Sequence, residues 1–395
     1  MYSLAAVVLA AGFSSRMGAF KPLLPLGDKP LVDWSIDLFR DVGIRRIVVV
    51  TGHNREKLEQ YLANRDVEIV YNPDYATGMF SSITMALDAL GNTTSGFFLL
   101  PVDIPLVRSA TVKALLRRWR IVHKTSRYFI TPNFLGKTGH PPLFDIEHRR
   151  DILNWTGEQG LAGYVRQFTA SNPKCVHNIR LADRFILYDA DTPERLAELE
   201  AQVESRPYPT MEEAIGLLVA LGAGDDMFLH ATQVAEVSIA FAQVLKDRGI
   251  DFDIELTSAI ALLHDIGKGW PNHAVVGARM AADAGFSGIQ DAIALHMDFP
   301  ARAEEPMTCA ELVCLADKYV QGTSAVAMEE RFEKKRKLFA DNPEALKGVE
   351  RRYTATRVSH EKLTRLAGRT PEDILAAPSS SPELEKLYDL LVAAR

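Results

Sequence analysis

The hydrophobic rhythm of this chain changes once, near residue 205, and that change constrains its architecture more than any other feature. Before it, short apolar runs at 4–10, 46–51, 68–71, 97–101 and 127–131 predict buried strands. The stretches 30–42, 55–64, 80–90 and 109–120 have helical spacing and predict the helices between them. Strands alternating with helices imply a mostly parallel, Rossmann-like sheet covered on both faces, with ligands at the carboxyl ends of its strands. A polar helical stretch, 193–204, and a proline-bearing linker, 205–210, follow. Beyond them strand signals vanish. Segments 211–221, 228–248, 254–264, 273–284 and 310–320 are all helical in spacing, with Asp225-Asp226 as a helix start and Gly249 as a helix stop. The expected organisation is an α/β domain over 1–204 and an all-α domain over 207–395.

The chain has 395 residues, enough for two domains with their own cores. A formal net charge of −6 argues against a nucleic-acid binder held by a general basic surface. Three cysteines in so long a chain do not make a disulfide framework and fit a reducing, cytoplasmic setting. Cys309 and Cys314 read as buried core thiols. The apolar start, residues 1–11, lacks a basic n-region and runs into a glycine turn, so it reads as a first strand rather than a signal peptide. No uninterrupted run of about 18 apolar residues predicts a membrane span. The one low-complexity tract is the serine run 379–381.

Two phosphate-handling signatures sit in this frame. The first is Leu9-Ala10-Ala11-Gly12-Phe13-Ser14-Ser15-Arg16-Met17-Gly18 with Lys21 three residues on. Small residues let the backbone approach a phosphate, the following N–H groups point at its oxygens, and Arg16 and Lys21 supply charge. Asp103, in Asp103-Ile104-Pro105, falls at another strand end. Taken singly, Asp103 reads equally as a helix N-cap, and His53 and His140 read as loop or core histidines.

These residues resemble the nucleotidyltransferases that attach a nucleotide to molybdopterin. The resemblance runs through Lys21-Pro22-Leu23-Leu24-Pro25-Leu26, Val50-Thr51-Gly52-His53, Asn72-Pro73 with Gly78-Met79-Phe80-Ser81-Ser82, Thr138-Gly139-His140-Pro141 and Asp189-Ala190-Asp191-Thr192-Pro193-Glu194. It implies a sheet of the nucleotide-diphospho-sugar transferase type. It also implies a nucleotide site over Leu9, Ala10, Ala11, Gly12, Ser14, Arg16, Lys21, Gly78, Ser81, Ser82 and Asp103. Mg²⁺ on Asp103 and Asp191 is implied as well. The chemistry implied is attack by a terminal phosphate of molybdopterin on the α-phosphate of the nucleotide, with Arg16, Lys21 and Asp103 catalytic. In that family Ala-Ala-Gly accompanies cytidylyl transfer and Ala-Gly-Gly guanylyl transfer, so Ala10-Ala11-Gly12 implies CTP. The implied partners are CTP, a molybdopterin-type acceptor and a molybdoenzyme or chaperone receiving the product. Val102 replaces the usual Gly before the metal Asp. In Thr156-Gly157-Glu158-Gln159-Gly160, Glu158 replaces an Asp of the acceptor segment.

The second signature is His230, His264-Asp265-Ile266-Gly267-Lys268, His273, His296 and Asp317. An unpaired carboxylate at a buried helix end is costly, and a metal is one partner for it. Imidazole with carboxylate suits Mn²⁺, Fe²⁺, Zn²⁺, Ni²⁺ or Mg²⁺. The ordered set resembles the HD phosphohydrolase superfamily, with a metal-site core at about 226–325. The resemblance implies one ion on His230, His264, Asp265 and Asp317, with Asp265 bridging to a second on His273 and His296. Catalysis is then metal-assisted attack of water on phosphorus, with Lys268 pairing a phosphate oxygen. The charged run Glu329-Glu330-Arg331-Phe332-Glu333-Lys334-Lys335-Arg336-Lys337 reads as a solvated helix face.

The expected function is therefore bifunctional, a molybdenum cofactor cytidylyltransferase joined to a metal-dependent phosphohydrolase. Two alternatives stay open. One is transfer to another acceptor such as a sugar phosphate. The other is a transferase whose HD domain senses nucleotides without catalysis.

Overall fold

The computed structural model describes residues 3–123, 127–377 and 381–394, so Ser379 and Ser380 of the serine run, and Met1 and Tyr2, lie outside them. The chain divides into two compact units, Met1–Ser205 and Arg206–Arg395.

The first unit is built on strands β1 (Leu4–Leu9), β2 (Pro25–Leu26), β3 (Lys29–Pro30), β4 (Arg46–Thr51), β5 (Glu68–Tyr71), β6 (Gly96–Pro101), β7 (Phe129–Phe134), β8 (Lys137–Thr138), β9 (Leu143–Asp145) and β10 (Val176–Arg180). The main sheet runs β10-β7-β9-β6-β1-β4-β5, with β8 on β7 and β2 with β3 as a separate pair. Pairs β6–β1, β1–β4, β4–β5 and β10–β7 are parallel, while β9 is antiparallel to both neighbours. The period-2 alternation sorts strand side chains onto two cores. Ala6, Val8, Val49, Phe98 and Leu100 face the helix Leu31–Arg40, and Ala5, Val7, Val50, Phe97 and Leu99 face Met79–Leu90. The expected strands at 4–10, 46–51 and 97–101 form in the centre. The expected buried strand at 68–71 is instead an exposed edge, where Arg55 lies over the Tyr71 ring at 4.2 Å. The strands β9 and β10 carry weaker apolar alternation, and their place comes from pairing with β7.

The second unit is helical apart from the pair Val320–Gln321 and Ser324–Ala325, a small departure from an all-α reading. Thr210 opens Met211–Leu221 through a capping box with Glu213. Asp253 caps Ile254–Leu263, and Thr308 caps Cys309–Lys318. Gly249, at φ +79°, ends Asp225–Asp247, and Ile250 N–H reaches back to Leu245 O at 3.1 Å. That helix is long and apolar enough to cross a membrane by length and composition, which the count of uninterrupted apolar runs does not anticipate. It packs against Ile254–Leu263 and Cys309–Lys318, and 67% of its apolar window is buried within the protein. All three cysteines are free thiols, and Cys309 and Cys314 are half-buried rather than fully buried.

Candidate functional site

Two candidate sites form, one in each unit. In the first, the loop after β1 is fixed by Ala10 N–H to Val50 O at 3.0 Å, and by Ala11 O, which accepts from His53 N–H at 3.1 Å. Gly52 is required there, because a Cβ on it would lie 2.7 Å from Ala11 Cβ. Opposite, Asn72 donates from Nδ2 to Ser81 Oγ at 2.8 Å and Ser82 Oγ at 2.9 Å, holding the segment that starts Met79–Leu90. Between these walls lies a cavity of about 290 Å³. Leu9, Ala10, Ala11, Gly12, Ser14, Lys21, Gly78, Ser82 and Asp103 line it. Arg16 and Ser81 are not part of that lining.

At the cavity floor Lys21 Nζ bridges Asp103 Oδ2 at 3.1 Å and Asp191 Oδ1 at 2.7 Å. Arg16 reaches Asp191 Oδ2 at 3.1 Å from a largely exposed position. Residues from three distant stretches thus converge, because β6 delivers Asp103 and Ala190 N–H donates to Asp103 O at 2.7 Å. Burial works against the Lys21 ammonium, yet the hydrogen bonds and charges of Asp191 and Asp103 win and raise its pKa. The Lys21 hydrogen bond holds Asp191 below the usual carboxylate range. Asp103 caps no helix, since Ser109–Val122 starts after Arg108. Two carboxylates converging on one cation are an oxygen donor set suited to Mg²⁺. Val102 buries its side chain in the core while its N–H donates to Leu9 O at 3.1 Å, and Glu158 is exposed. His140 is half-buried, and desolvation lowers its pKa. His53 packs with Phe13 and Tyr75, an aromatic rim that the residue pattern does not reveal.

In the second unit His264 caps the end of Ile254–Leu263, and Asp265 follows in a tight turn. Gly267 has no room for a side chain, because a Cβ would lie 2.1 Å from His273 O. The turn therefore presses His264 and Asp265 against the start of His273–Asp283. His230 comes from Asp225–Asp247, His296 from the end of Gln290–Leu295, and Asp317 from Cys309–Lys318. Ligand atoms of His230, His264 and Asp265 lie within 4.8 Å of one another, as do those of Asp265, His273 and His296. Asp265 is common to both groups. Asp317 Oδ1 stands 3.6 Å from His230 Nε2 and 3.9 Å from His264 Nε2.

The imidazoles are oriented from behind. His230 Nδ1 pairs with Gly322 O at 2.8 Å, His264 Nδ1 with Ala261 O at 2.7 Å, and His296 Nδ1 with Ile293 O at 2.7 Å. A nitrogen facing a carbonyl carries the proton, so each Nε2 presents its lone pair inward. Burial keeps His264 neutral at ordinary pH and lowers His296 to about 4. Asp317 is held well below the usual range, its burial outweighed by Lys318, 2.7 Å away, and by Arg331. These converging lone pairs and carboxylate oxygens fit divalent ions.

The charged helix Met328–Leu338 is not simply a solvated face. Arg331 binds Asp317 and the backbone carbonyls of Asp317 and Val320, and Lys334, Lys335 and Leu338 line the cavity above the cluster. That cavity holds about 990 Å³ and includes Lys268. A basic residue four positions after another, Arg331 then Lys335, was the signal for a shared inward face.

Residues 6–174 match the model of the MobA-like NTP transferase domain, and residues 227–321 match that of the HD domain. The chain is 33% identical over 195 residues to the molybdenum cofactor cytidylyltransferase of Escherichia coli strain K12, covering 49% of this chain and 94% of that protein. It is 34% identical over 144 residues to the bifunctional protein GlmU of Geotalea uraniireducens, covering 35% of this chain and 31% of that one. The chain thus spans about a third of the length of that relative. Among solved structures, the homologue of Mycobacterium tuberculosis Rv0371c from Mycobacterium sp. strain JC1 aligns at 25% identity with a TM-score of 0.43, over 51% of this chain and 97% of that one.

Proposed function

For a chain that belongs to the MobA-like NTP transferases through its first unit and carries an HD domain in its second, we propose two reactions on one polypeptide. The first unit transfers a cytidylyl group from CTP to a molybdopterin-type phosphate. The second hydrolyses a phosphoester with divalent metal.

The observation that carries the first assignment is the Lys21–Asp103–Asp191 constellation beneath the loop 9–14. An oxygen of the acceptor phosphate attacks the α-phosphorus of CTP, the bond to the β-phosphate oxygen breaks, and pyrophosphate leaves. Asp103 and Asp191 would hold Mg²⁺, which supplies charge neutralisation on the triphosphate when bound. Lys21 sits where it can exchange carboxylate partners for phosphate oxygens, and Arg16 reaches over the same ground. The choice of CTP is supported by Ala10-Ala11-Gly12 and by similarity to the Escherichia coli cytidylyltransferase.

In the second unit His230, His264, Asp265 and Asp317 would hold one ion, and Asp265, His273 and His296 another. Bound divalent ions supply Lewis acidity and activation of water toward phosphorus. Lys268, now 2.8 Å from Asp265 Oδ2, lies at the cluster edge where it can take a phosphate oxygen.

The test is product analysis by mass spectrometry, with full-length protein, Mg²⁺, molybdopterin, and CTP or GTP. The expected result is a cytidylylated pterin and pyrophosphate, with GTP at least about tenfold slower. Faster turnover of GTP would end the cytidylyl assignment. Turnover of a sugar phosphate but not of molybdopterin would move the acceptor.

A further inference from the structure

The cations around the second site are unequally matched. Arg331 and Lys318 are committed to Asp317, Lys268 to Asp265, and Lys334 to Glu330 at 2.8 Å. Lys335 is half-buried, lines the cavity, and has no hydrogen-bond or carboxylate partner among the described residues. Burial, and then the charges of Arg331 and Lys318, outweigh the attraction of Asp317 and lower its pKa to about 8. A half-buried ammonium whose surroundings are on balance repulsive gains from an added anion.

Its position bears on the kind of anion that would fit. Arg331 and Lys335 share one helix face at a spacing of four residues, which is about 6 Å along the axis. Arg331 pairs with Asp317 at the cluster, and the backbone of Lys335 lies about one helical turn further along. An anion with two linked phosphoryl groups can meet the cluster beside Lys268 with one and Lys335 with the other, since all of them line one cavity. The cavity of about 990 Å³ leaves room for such a chain and for a nucleoside.

We infer that Lys335 forms a second phosphoryl subsite, and that the second unit acts on a diphosphate: one phosphoryl at the Asp265 cluster, the next on Lys335. This rests on the phosphohydrolase reading given above. In the reaction the oxygen of water bonds to the phosphorus at the cluster. The bridging P–O bond breaks, its oxygen leaves with the second phosphate on Lys335, and the proton of water passes to solvent. A nucleoside diphosphate and inorganic pyrophosphate share this chemistry. The second would come from any reaction that releases pyrophosphate from a nucleoside triphosphate.

The experiment uses full-length protein loaded with Mn²⁺ and three probes: ADP, inorganic pyrophosphate and 4-nitrophenyl phosphate. Lys335→Gln should lower kcat/KM for the diphosphate probes about tenfold more than for 4-nitrophenyl phosphate, as loss of one charge-assisted contact predicts. Lys335→Arg should restore most of the difference, and Lys347→Gln, on an exposed residue paired with Glu344, should change nothing. Preference for ADP or for pyrophosphate identifies the source of the diphosphate. An unchanged ratio between diphosphate and monoester probes overturns the subsite. If the wild type hydrolyses none of them, calorimetric titration with pyrophosphate decides. Binding weakened about tenfold in Lys335→Gln keeps the subsite and removes the hydrolase reading. Equal or absent binding removes the subsite.

Discussion

In the first unit two carboxylates, Asp103 and Asp191, close on the single ammonium of Lys21 in a cavity of about 290 Å³. In the second, Asp265 and Asp317 face four imidazoles, while cations stand behind or beside them in a cavity of about 990 Å³. The first arrangement satisfies its own charges, and ligand binding must re-partner them. The second is a donor set in which His230, His264 and His296 are held from behind by backbone carbonyls, with their Nε2 lone pairs directed inward. A site that carries its own counter-ion is suited to a substrate that brings its metal with it, because the lysine can trade carboxylate for phosphate. A site of oriented imidazoles is suited to resident ions, because inward-facing nitrogen lone pairs are metal donors.

The sharpest way to break this contrast is Asp265→Ala. Full-length protein purified without chelator should carry transition metal, and the variant should carry none, since both ligand groups share Asp265. Phosphoester hydrolysis should fall by on the order of 10³-fold or more. His273→Ala should lose only part of the metal. Equal metal in wild type and Asp265→Ala, measured by mass spectrometry, would make the second site a sensor or a polar core.

The next effect concerns the first unit. Asp103→Ala should lower nucleotidyl transfer by roughly 10²–10³-fold without changing the circular dichroism spectrum or the metal content of the second unit. Near-normal turnover would mean that the metal of that site lies elsewhere.

The smallest effect sharpens the comparison between the histidines. His148 is fully buried in the first unit, hydrogen-bonded to Tyr164 Oη at 2.6 Å, and belongs to no ligand cluster among the described residues. Burial, aided by the charge of Arg127, lowers it to about 3. The unfolded chain protonates near 6.5, so this neutral histidine contributes fully above that pH. Its contribution is lost as pH falls from about 6.5 toward 3, at up to about 1.4 kcal/mol per pH unit. Urea unfolding at pH 7 and pH 5 should show that loss, and His148→Leu should reduce it. The same pH slope in both proteins would mean that His148 titrates normally.

How much of this was legible beforehand depends on the range of the interaction. The central strands β1, β4 and β6 and the helices between them follow from local periodicity, and the turn His264–Lys268 from its motif at the end of an apolar helix. The edge exposure of β5 and the strands β9 and β10 did not, because their pairing partners lie far away in sequence, and the hairpin at 320–325 did not because its two-residue strands are too short to show a period. Likewise the run 329–337 carries a solvated charge pattern, yet Arg331 turns inward because Asp317, a distant carboxylate, needs a partner.

Sequence by itself determined the order of the central elements and the split into two halves, which rest on periodicity and turn chemistry written within short windows. The candidate phosphate- and metal-handling residues were expected from their resemblance to two families. Only the tertiary structure decided that Lys21 bridges Asp103 and Asp191, that Arg331 turns onto Asp317, and that Lys335 lines the cavity above the cluster. Each depends on distances between residues many positions apart, which packing sets and a linear pattern does not.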